Sequence, residues 1–179
     1  MKRIFQLFFL AVIFSSCSPQ LRPFTDRMYI NSDFSERELK KIQFYVSRDI
    51  VLSRQLDGTK ARLQSGKIRI VEGASYEEIV IRRGTRGVFA FSVEDGNIAV
   101  SFEGNPQTSY LVFGPSERRG GEYVLRAAKW ERDFGIINYN GQQYTTPASS
   151  AYASLMVDVR GSGRSSSYTR RASGKRVRG

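Results

Sequence analysis

Val88-Phe89-Ala90-Phe91-Ser92-Val93-Glu94-Asp95-Gly96-Asn97-Ile98-Ala99-Val100-Ser101-Phe102 is a pair of apolar, β-prone runs joined by a short polar break. Asp-Gly at the centre of such a break signals a type I′ hairpin, because both central residues must accept positive φ. The same grammar recurs where residues 136–139 lead through Asn140-Gly141 into residues 142–145. These two hairpins set the register in which the rest of the chain is read.

Working outward, residues 44–46 and 50–52 are short β-prone runs, and Lys67-Ile68-Arg69-Ile70 alternates as a half-buried strand does. Residues 79–81 end at the basic turn Arg82-Arg83-Gly84-Thr85-Arg86-Gly87. Residues 110–113 and 123–125 flank a Gly/Pro-rich loop at 114–121, and Leu155-Met156-Val157-Asp158-Val159 closes the series. Nine or ten short strands with turn signals between them predict an all-β fold, an antiparallel β-sandwich or small barrel. The helices that a parallel α/β sheet requires between its strands are missing, and no repeat recurs at a solenoid period. One short N-terminal helix is expected over 35–42. Ser35 and Glu38 have the spacing of a capping box, and Leu39 and Ile42 follow at helical spacing.

The N-terminus carries a different message. Met1-Lys2-Arg3 precedes an apolar run from Ile4 to Phe14 broken only by Gln6, and then come Ser15, Ser16 and Cys17. A basic start, a short apolar stretch and small residues make a secretory signal peptide. The run is far short of the ~20 residues that cross a bilayer as a helix. The chain has one cysteine, so no disulfide forms within it, and a lone cysteine in an exported protein calls for a reason. Phe14-Ser15-Ser16-Cys17 resembles the lipobox of bacterial lipoproteins, with Phe14 where that family usually has Leu; looser boxes of this kind are similar to those of Bacteroidota. The resemblance implies cleavage before Cys17 and acylation of its thiol, a palmitate-type anchor in the outer membrane facing the periplasm. The alternative is an ordinary cleavage after Ser18, with Ser16 and Ser18 as the small flanking residues.

The expected organisation is a signal peptide at 1–16, a lipidated N-terminus and tether at 17–34, a β-rich domain at 35–160 and a disordered basic tail at 161–179. The tail is Gly, Ser and basic residues with no acid, too poor in apolar surface to offset the entropy of ordering. The formal charge of +11 divides unevenly. Lys2 and Arg3 lie in the signal, and Arg164, Arg170, Arg171, Lys175, Arg176 and Arg178 lie in the tail. Those eight leave twenty of the 28 bases against 17 acids, about +3 for the body. The tail suits anionic lipid, acidic cell-wall polymer, an acidic patch on a partner, or no selective partner at all. Export argues against nucleic acid.

Five further bases sit in predicted loops: Arg82, Arg83 and Arg86, then Arg118 and Arg119. If the loops meet at one end of the sandwich they form an anion site, since the guanidinium fork suits phosphate and carboxylate; otherwise they decorate turns.

The chain has no histidine, which removes Ser-His-Asp and Cys-His nucleophilic systems and histidine-based zinc sites. No metal centre or cofactor is expected, and no phosphate-binding or dinucleotide glycine motif is present. Carboxylate-only hydrolysis survives this filter. Its candidates are Glu77-Glu78, Glu94-Asp95 and Glu131 with Asp133, all more economically read as surface charge. Tyr139 and Tyr144 straddle the Asn140-Gly141 turn; they stack across the hairpin or, with Trp130, offer a sugar platform.

The body is also similar to small β-rich lipoproteins of Bacteroidota, on Lys41-Ile42-Gln43-Phe44-Tyr45-Val46 and Gly120-Gly121-Glu122-Tyr123-Val124. That resemblance implies no particular activity. The expectation is a non-enzymatic, membrane-anchored structural or interaction protein with an envelope protein as partner. A glycan- or anion-binding lipoprotein is the alternative, and a carboxylate-dependent glycosidase a weaker one.

Overall fold

A computed structural model describes residues 20–32, 34–56, 67–71 and 74–158. The signal segment, Cys17 and the tail from 161 onward lie outside the described residues.

The strands are β1 (Leu21–Pro23), β2 (Gln43–Val46), β3 (Ile50–Leu56), β4 (Lys67–Val71), β5 (Ala74–Ile81), β6 (Arg86–Ser92) and β7 (Ile98–Ser101). They continue as β8 (Leu111–Ser116), β9 (Glu122–Arg126), β10 (Lys129–Trp130), β11 (Phe134–Tyr139), β12 (Gln142–Pro147) and β13 (Leu155–Asp158). Two short helices precede β2: α1 (Asp26–Asn31) and α2 (Glu36–Leu39). All pairings are antiparallel, in a seven-stranded sheet β1-β13-β2-β6-β7-β8-β9 and a six-stranded sheet β10-β11-β12-β3-β5-β4. The fold is an open, all-β sandwich.

Local chemistry accounts for the elements. Asp95 (φ 59°) and Gly96 (φ 69°) turn β6 into β7, and Asn140 (φ 52°) and Gly141 (φ 70°) turn β11 into β12, the positive-φ pairs that type I′ hairpins need. A bulge between Phe89 and Phe91 breaks the alternation of β6, leaving Phe89 buried and Phe91 edge-on to Tyr110. At α2, the Glu38 carboxylate reaches back to accept from both the amide and the hydroxyl of Ser35, at 3.0 and 2.9 Å.

The inner faces of the two sheets meet in one core. Phe44, Val46, Ile98, Val100, Leu111, Phe113, Leu125, Leu155 and Val157 come from the first sheet, and Ile50, Leu52, Ile79, Ile81, Ile137, Tyr139 and Tyr144 from the second.

The expected tether over 17–34 needs correcting in its described part. β1 pairs with β13, and the chain then turns at Phe24, whose side chain is fully buried. Thr25 bridges to Glu122, Tyr123 N–H donates to the Phe24 carbonyl, and Asp26 N–H donates to that of Gly121. Residues 21–26 thereby wedge between β13 and β9. Phe24 packs on Tyr29, Phe34, Phe44 and Tyr123 with ring centroids 4.8–6.4 Å apart. β1 is only three residues long, and beyond it Phe24 fills the core as a plug, so the segment is too short to show a period-two pattern. The folded body therefore begins by Leu21, not Ser35, and among the described residues it holds two short α-helices rather than one.

Candidate functional site

The second sheet opens beside β12. This strand meets β3 through one register pair, Thr145 with Ser53, reinforced by the Thr145 hydroxyl donating to the Ser53 carbonyl at 3.0 Å. Next to that bridge lies a polar depression of about 450 Å³, lined by Ser53, Arg54, Gln55, Tyr76, Gln142, Gln143, Tyr144 and Thr145.

The wall of this notch is held by charge. On β3, Ile50 and Leu52 face the core, so the two-residue period carries Arg54 to the same face. On β5, Ile81 and Ile79 do the same for Glu77, and Arg54 and Glu77 are direct register partners. Arg54 Nε donates to Glu77 Oε2 at 2.6 Å. The Tyr144 hydroxyl donates to the same oxygen at 2.9 Å, and Arg54 Nη1 donates to Gln142 Oε1 at 2.9 Å. The guanidinium also sits 5.5 Å from the centroid of the Tyr144 ring. Glu77 is buried, whereas the Arg54 side chain stays 31% exposed, so water screens the outer side of the pair. The hydrogen bond and charge of Glu77 hold the Arg54 guanidinium above its ordinary pKa. Burial, and then the hydrogen bond to Glu77, lift the Tyr144 phenol to about 12.

The network runs inward. Tyr144 meets Tyr139 edge to face at 6.2 Å, and the Tyr139 hydroxyl donates to Glu103 Oε1 at 3.0 Å. Burial first, then the Glu103 charge, raises the Tyr139 pKa strongly. Every buried side-chain nitrogen and oxygen among the described residues has a partner.

Two expectations change here. Glu77 is not surface charge, because it is the inward member of an adjacent pair on a strand and meets a cation on its neighbour. Tyr139 and Tyr144 do stack across the hairpin, but both are buried and face inward, so they present no sugar platform with Trp130. Trp130 instead lies across Gly135 on the neighbouring strand; a Cβ there would come within 2.5 Å of the indole. The other two candidate pairs lie on turns and short strands away from Glu77. Glu94 and Asp95 are exposed at the hairpin turn, and Glu131 pairs with Lys129 at 2.6 Å beside exposed Asp133.

The five loop arginines are not brought together. Arg82, Arg83 and Arg86 are exposed where β6 begins, whereas Arg118 and Arg119 lie where β8 has ended. β6, β7 and β8 are successive antiparallel neighbours, so the two groups sit at opposite ends of that sheet, on the order of 20 Å apart along the strands. Arg119 is further committed to Glu122 Oε2, at 3.1 Å from Nε and 2.8 Å from Nη2. The amide of Arg83 donates to Asp49 Oδ1 at 2.7 Å.

Sequence reading missed the notch, although a signal for it exists. Extending the period of β3 beyond Leu52, and that of β5 back from Ile79, places opposite charges on the core face of both strands. Chemically, the wall has its ionic groups matched and offers amides and hydroxyls to a ligand.

Among the described residues, no three His, Cys, Asp or Glu side chains gather as a metal site, and no helix is long and apolar enough to cross a membrane. Compared with protein-family models, curated proteins and solved structures, the chain matches none.

Proposed function

We propose that this chain is an exported lipoprotein of the bacterial envelope, acylated at Cys17 and held at the periplasmic face of the outer membrane. Its β body serves a structural or interaction role in an envelope assembly. The observation that carries the reading is the succession of basic start, short apolar run and Phe14-Ser15-Ser16-Cys17. The matched charges of the notch are consistent with a recognition role, because Glu77 is occupied by Arg54 and Tyr144 rather than free for acid–base work. Several acyl chains on one cysteine anchor stably, whereas one binds marginally.

Cells given a labelled fatty acid label this protein, and Cys17→Ala abolishes the label. An unlabelled wild-type chain that fractionates with soluble periplasm refutes the anchor. Recovery from detergent-solubilised membranes with a protein at near-stoichiometric yield supports the interaction role; recovery with glycan alone refutes it.

The second reading is a glycan-binding lipoprotein, favoured by the lining of Gln55, Gln142, Gln143, Ser53, Thr145 and Tyr76. Such a set of amides, hydroxyls and one aromatic ring suits a neutral hydrogen-bonding ligand. Titration with neutral oligosaccharides then shifts the side-chain amide resonances of Gln142 and Gln143. Unmoved resonances at saturating sugar dismiss it.

A further inference from the structure

The notch exists because one ladder is interrupted. β12 pairs with β11 along its whole length, and β3 does so with β5. β12 and β3 meet only where Thr145 faces Ser53. The same register carried further would set Tyr144 beside Arg54 and Gln143 beside Gln55, and backbone hydrogen bonds would close the gap. In their place a side-chain bond crosses it, from Arg54 Nη1 to Gln142 Oε1 at 2.9 Å. By the two-residue period, Gln142 and Tyr144 lie with Arg54 on the floor of the notch, and exposed Gln55 and Gln143 stand on its outer rim.

That crossing bond fixes what the floor offers. A guanidinium only donates, so the Gln142 carboxamide turns its oxygen to Arg54 and keeps its NH₂ for a ligand. Arg54 spends Nε on Glu77 and Nη1 on Gln142, and among the described residues Nη2 is left to donate as well. On the rim, Thr145 gives its hydroxyl hydrogen to the Ser53 carbonyl, so its oxygen accepts. The floor is rich in donors yet carries no net charge, because Glu77 balances Arg54. A ligand carboxylate would bring a second anion to a cation already matched; a neutral acyl oxygen takes the same donors without that repulsion. Tyr76, the register partner of Gln55, adds an aromatic ring to the lining.

We propose that the notch binds a glycan through a 2-acetamido group, whose acyl oxygen accepts from Gln142 Nε2 and Arg54 Nη2. This rests on the glycan-binding reading of the notch and narrows it to N-acetylated amino sugars. The acetamido N–H finds its acceptor on the rim, among Thr145 Oγ1 and the carboxamides of Gln55 and Gln143, and the methyl group packs against Tyr76. A hydroxyl at the same sugar carbon has no acyl oxygen to give the floor, so the notch tells the two sugars apart. Its volume of about 450 Å³ lies within the ~300–1,000 Å³ of pockets that hold small ligands. An extended peptide carries the same amide, but the lining has no aliphatic pocket for its alternate side chains, and the Thr145–Ser53 bridge stops a strand from running on.

The test titrates the full-length protein, held in a zwitterionic detergent free of sugar, with N,N′-diacetylchitobiose and with cellobiose. These disaccharides share one backbone and differ in carrying acetamido or hydroxyl beside the anomeric carbon. Affinities are read from the side-chain amide resonances of Gln55 and Gln143. Diacetylchitobiose binds at least ~10-fold more tightly than cellobiose. Gln142→Glu, at an exposed position, keeps an acceptor for Arg54 but removes the NH₂ donor, and the two sugars then bind alike. Equal affinity of the unaltered protein for both overturns the acetamido assignment and leaves the glycan reading standing; no shift with either sugar dismisses the two together. A preference undiminished by Gln142→Glu takes the floor out of recognition and overturns the proposal. So does N-acetylalanine methylamide, an amide without a sugar, if it binds as tightly as diacetylchitobiose, since the notch would then be a peptide site.

Discussion

Tyr123 and Tyr144 face one continuous core from opposite sheets, yet they are held by different physics. Tyr123 sits among Phe24 and Tyr29, and its hydroxyl donates to the backbone carbonyl of Gly96 at 3.0 Å. Tyr144 sits under Arg54 and gives its hydroxyl to the Glu77 carboxylate. The first neighbourhood draws its strength from apolar area and ring contact, which salt and moderate pH leave untouched. The second depends on matching a buried acid with a half-exposed base, and each member is costly without the others. One end of the sandwich is closed by an apolar plug, the other by a polar wall that adjoins an opening.

Removing the centre of the plug gives the largest effect. Phe24→Ala deletes a fully buried ring and costs about 3–5 kcal/mol in denaturant unfolding. Amide exchange rises first at Leu21, Pro23's neighbours and residues 156–158, because β1 is held to β13 beside that ring. A loss below about 1 kcal/mol would place Phe24 outside the cooperative core.

The plug and the wall were unequally legible in the sequence, as were the hairpins between them. Asp95-Gly96 and Asn140-Gly141 could be read directly, since positive φ at both positions is a local requirement met by local chemistry. Ser35 and Glu38 likewise marked α2 from three residues' spacing. Phe24 was hidden because a wedge between two strands has neither helical nor strand period, and flanking Pro19 and Pro23 read as linker. Glu77 was half legible: alternation says that one of Glu77 and Glu78 faces inward. Its partner lies 23 residues earlier on β3, and pairing those strands is a tertiary fact. The five arginines show the reverse case, a local resemblance between two loops that the strand order sets at opposite ends.

Breaking the wall costs less than breaking the plug, because water reaches Arg54. Glu77→Gln keeps shape and one acceptor but leaves the guanidinium without its counter-charge, for a loss of about 1–3 kcal/mol. A double-mutant cycle with Arg54→Gln then returns a coupling of at least about 0.5 kcal/mol, whereas Glu77→Gln paired with Phe24→Ala is additive within that margin. Coupling across the core between plug and wall would erase the distinction between them.

Alkaline pH sharpens the same contrast. The fold favours the neutral phenol of Tyr144, whose pKa rises from the usual 10.0 to about 12. The unfolded chain therefore releases this proton first as pH climbs. The stabilisation is complete below pH 10 and is lost on the way to about pH 12. Burial moves Tyr123 and Tyr139 in the same direction, so all three weaken the fold together. The denaturant midpoint holds steady up to about pH 9 and drops above 10, and Tyr144→Phe makes the drop shallower. A midpoint indifferent to pH across that window would mean that water reaches these phenols.

The smallest effect is the most discriminating. Tyr123→Phe removes one hydroxyl from a neutral backbone acceptor and keeps the ring contacts, so it costs about 1 kcal/mol and no more. Gly96 lies at the type I′ turn and its carbonyl faces an exposed hairpin, where water replaces the lost donor. Tyr144→Phe takes the same atom from a charged and buried acceptor, which water reaches poorly, and costs about 1.5–3 kcal/mol. The ratio of these two losses, from thermal unfolding at neutral pH, compares plug with wall while holding the chemical change fixed. Equal losses would mean that Arg54 alone satisfies Glu77 and that Tyr144 belongs, like Tyr123, to the apolar core.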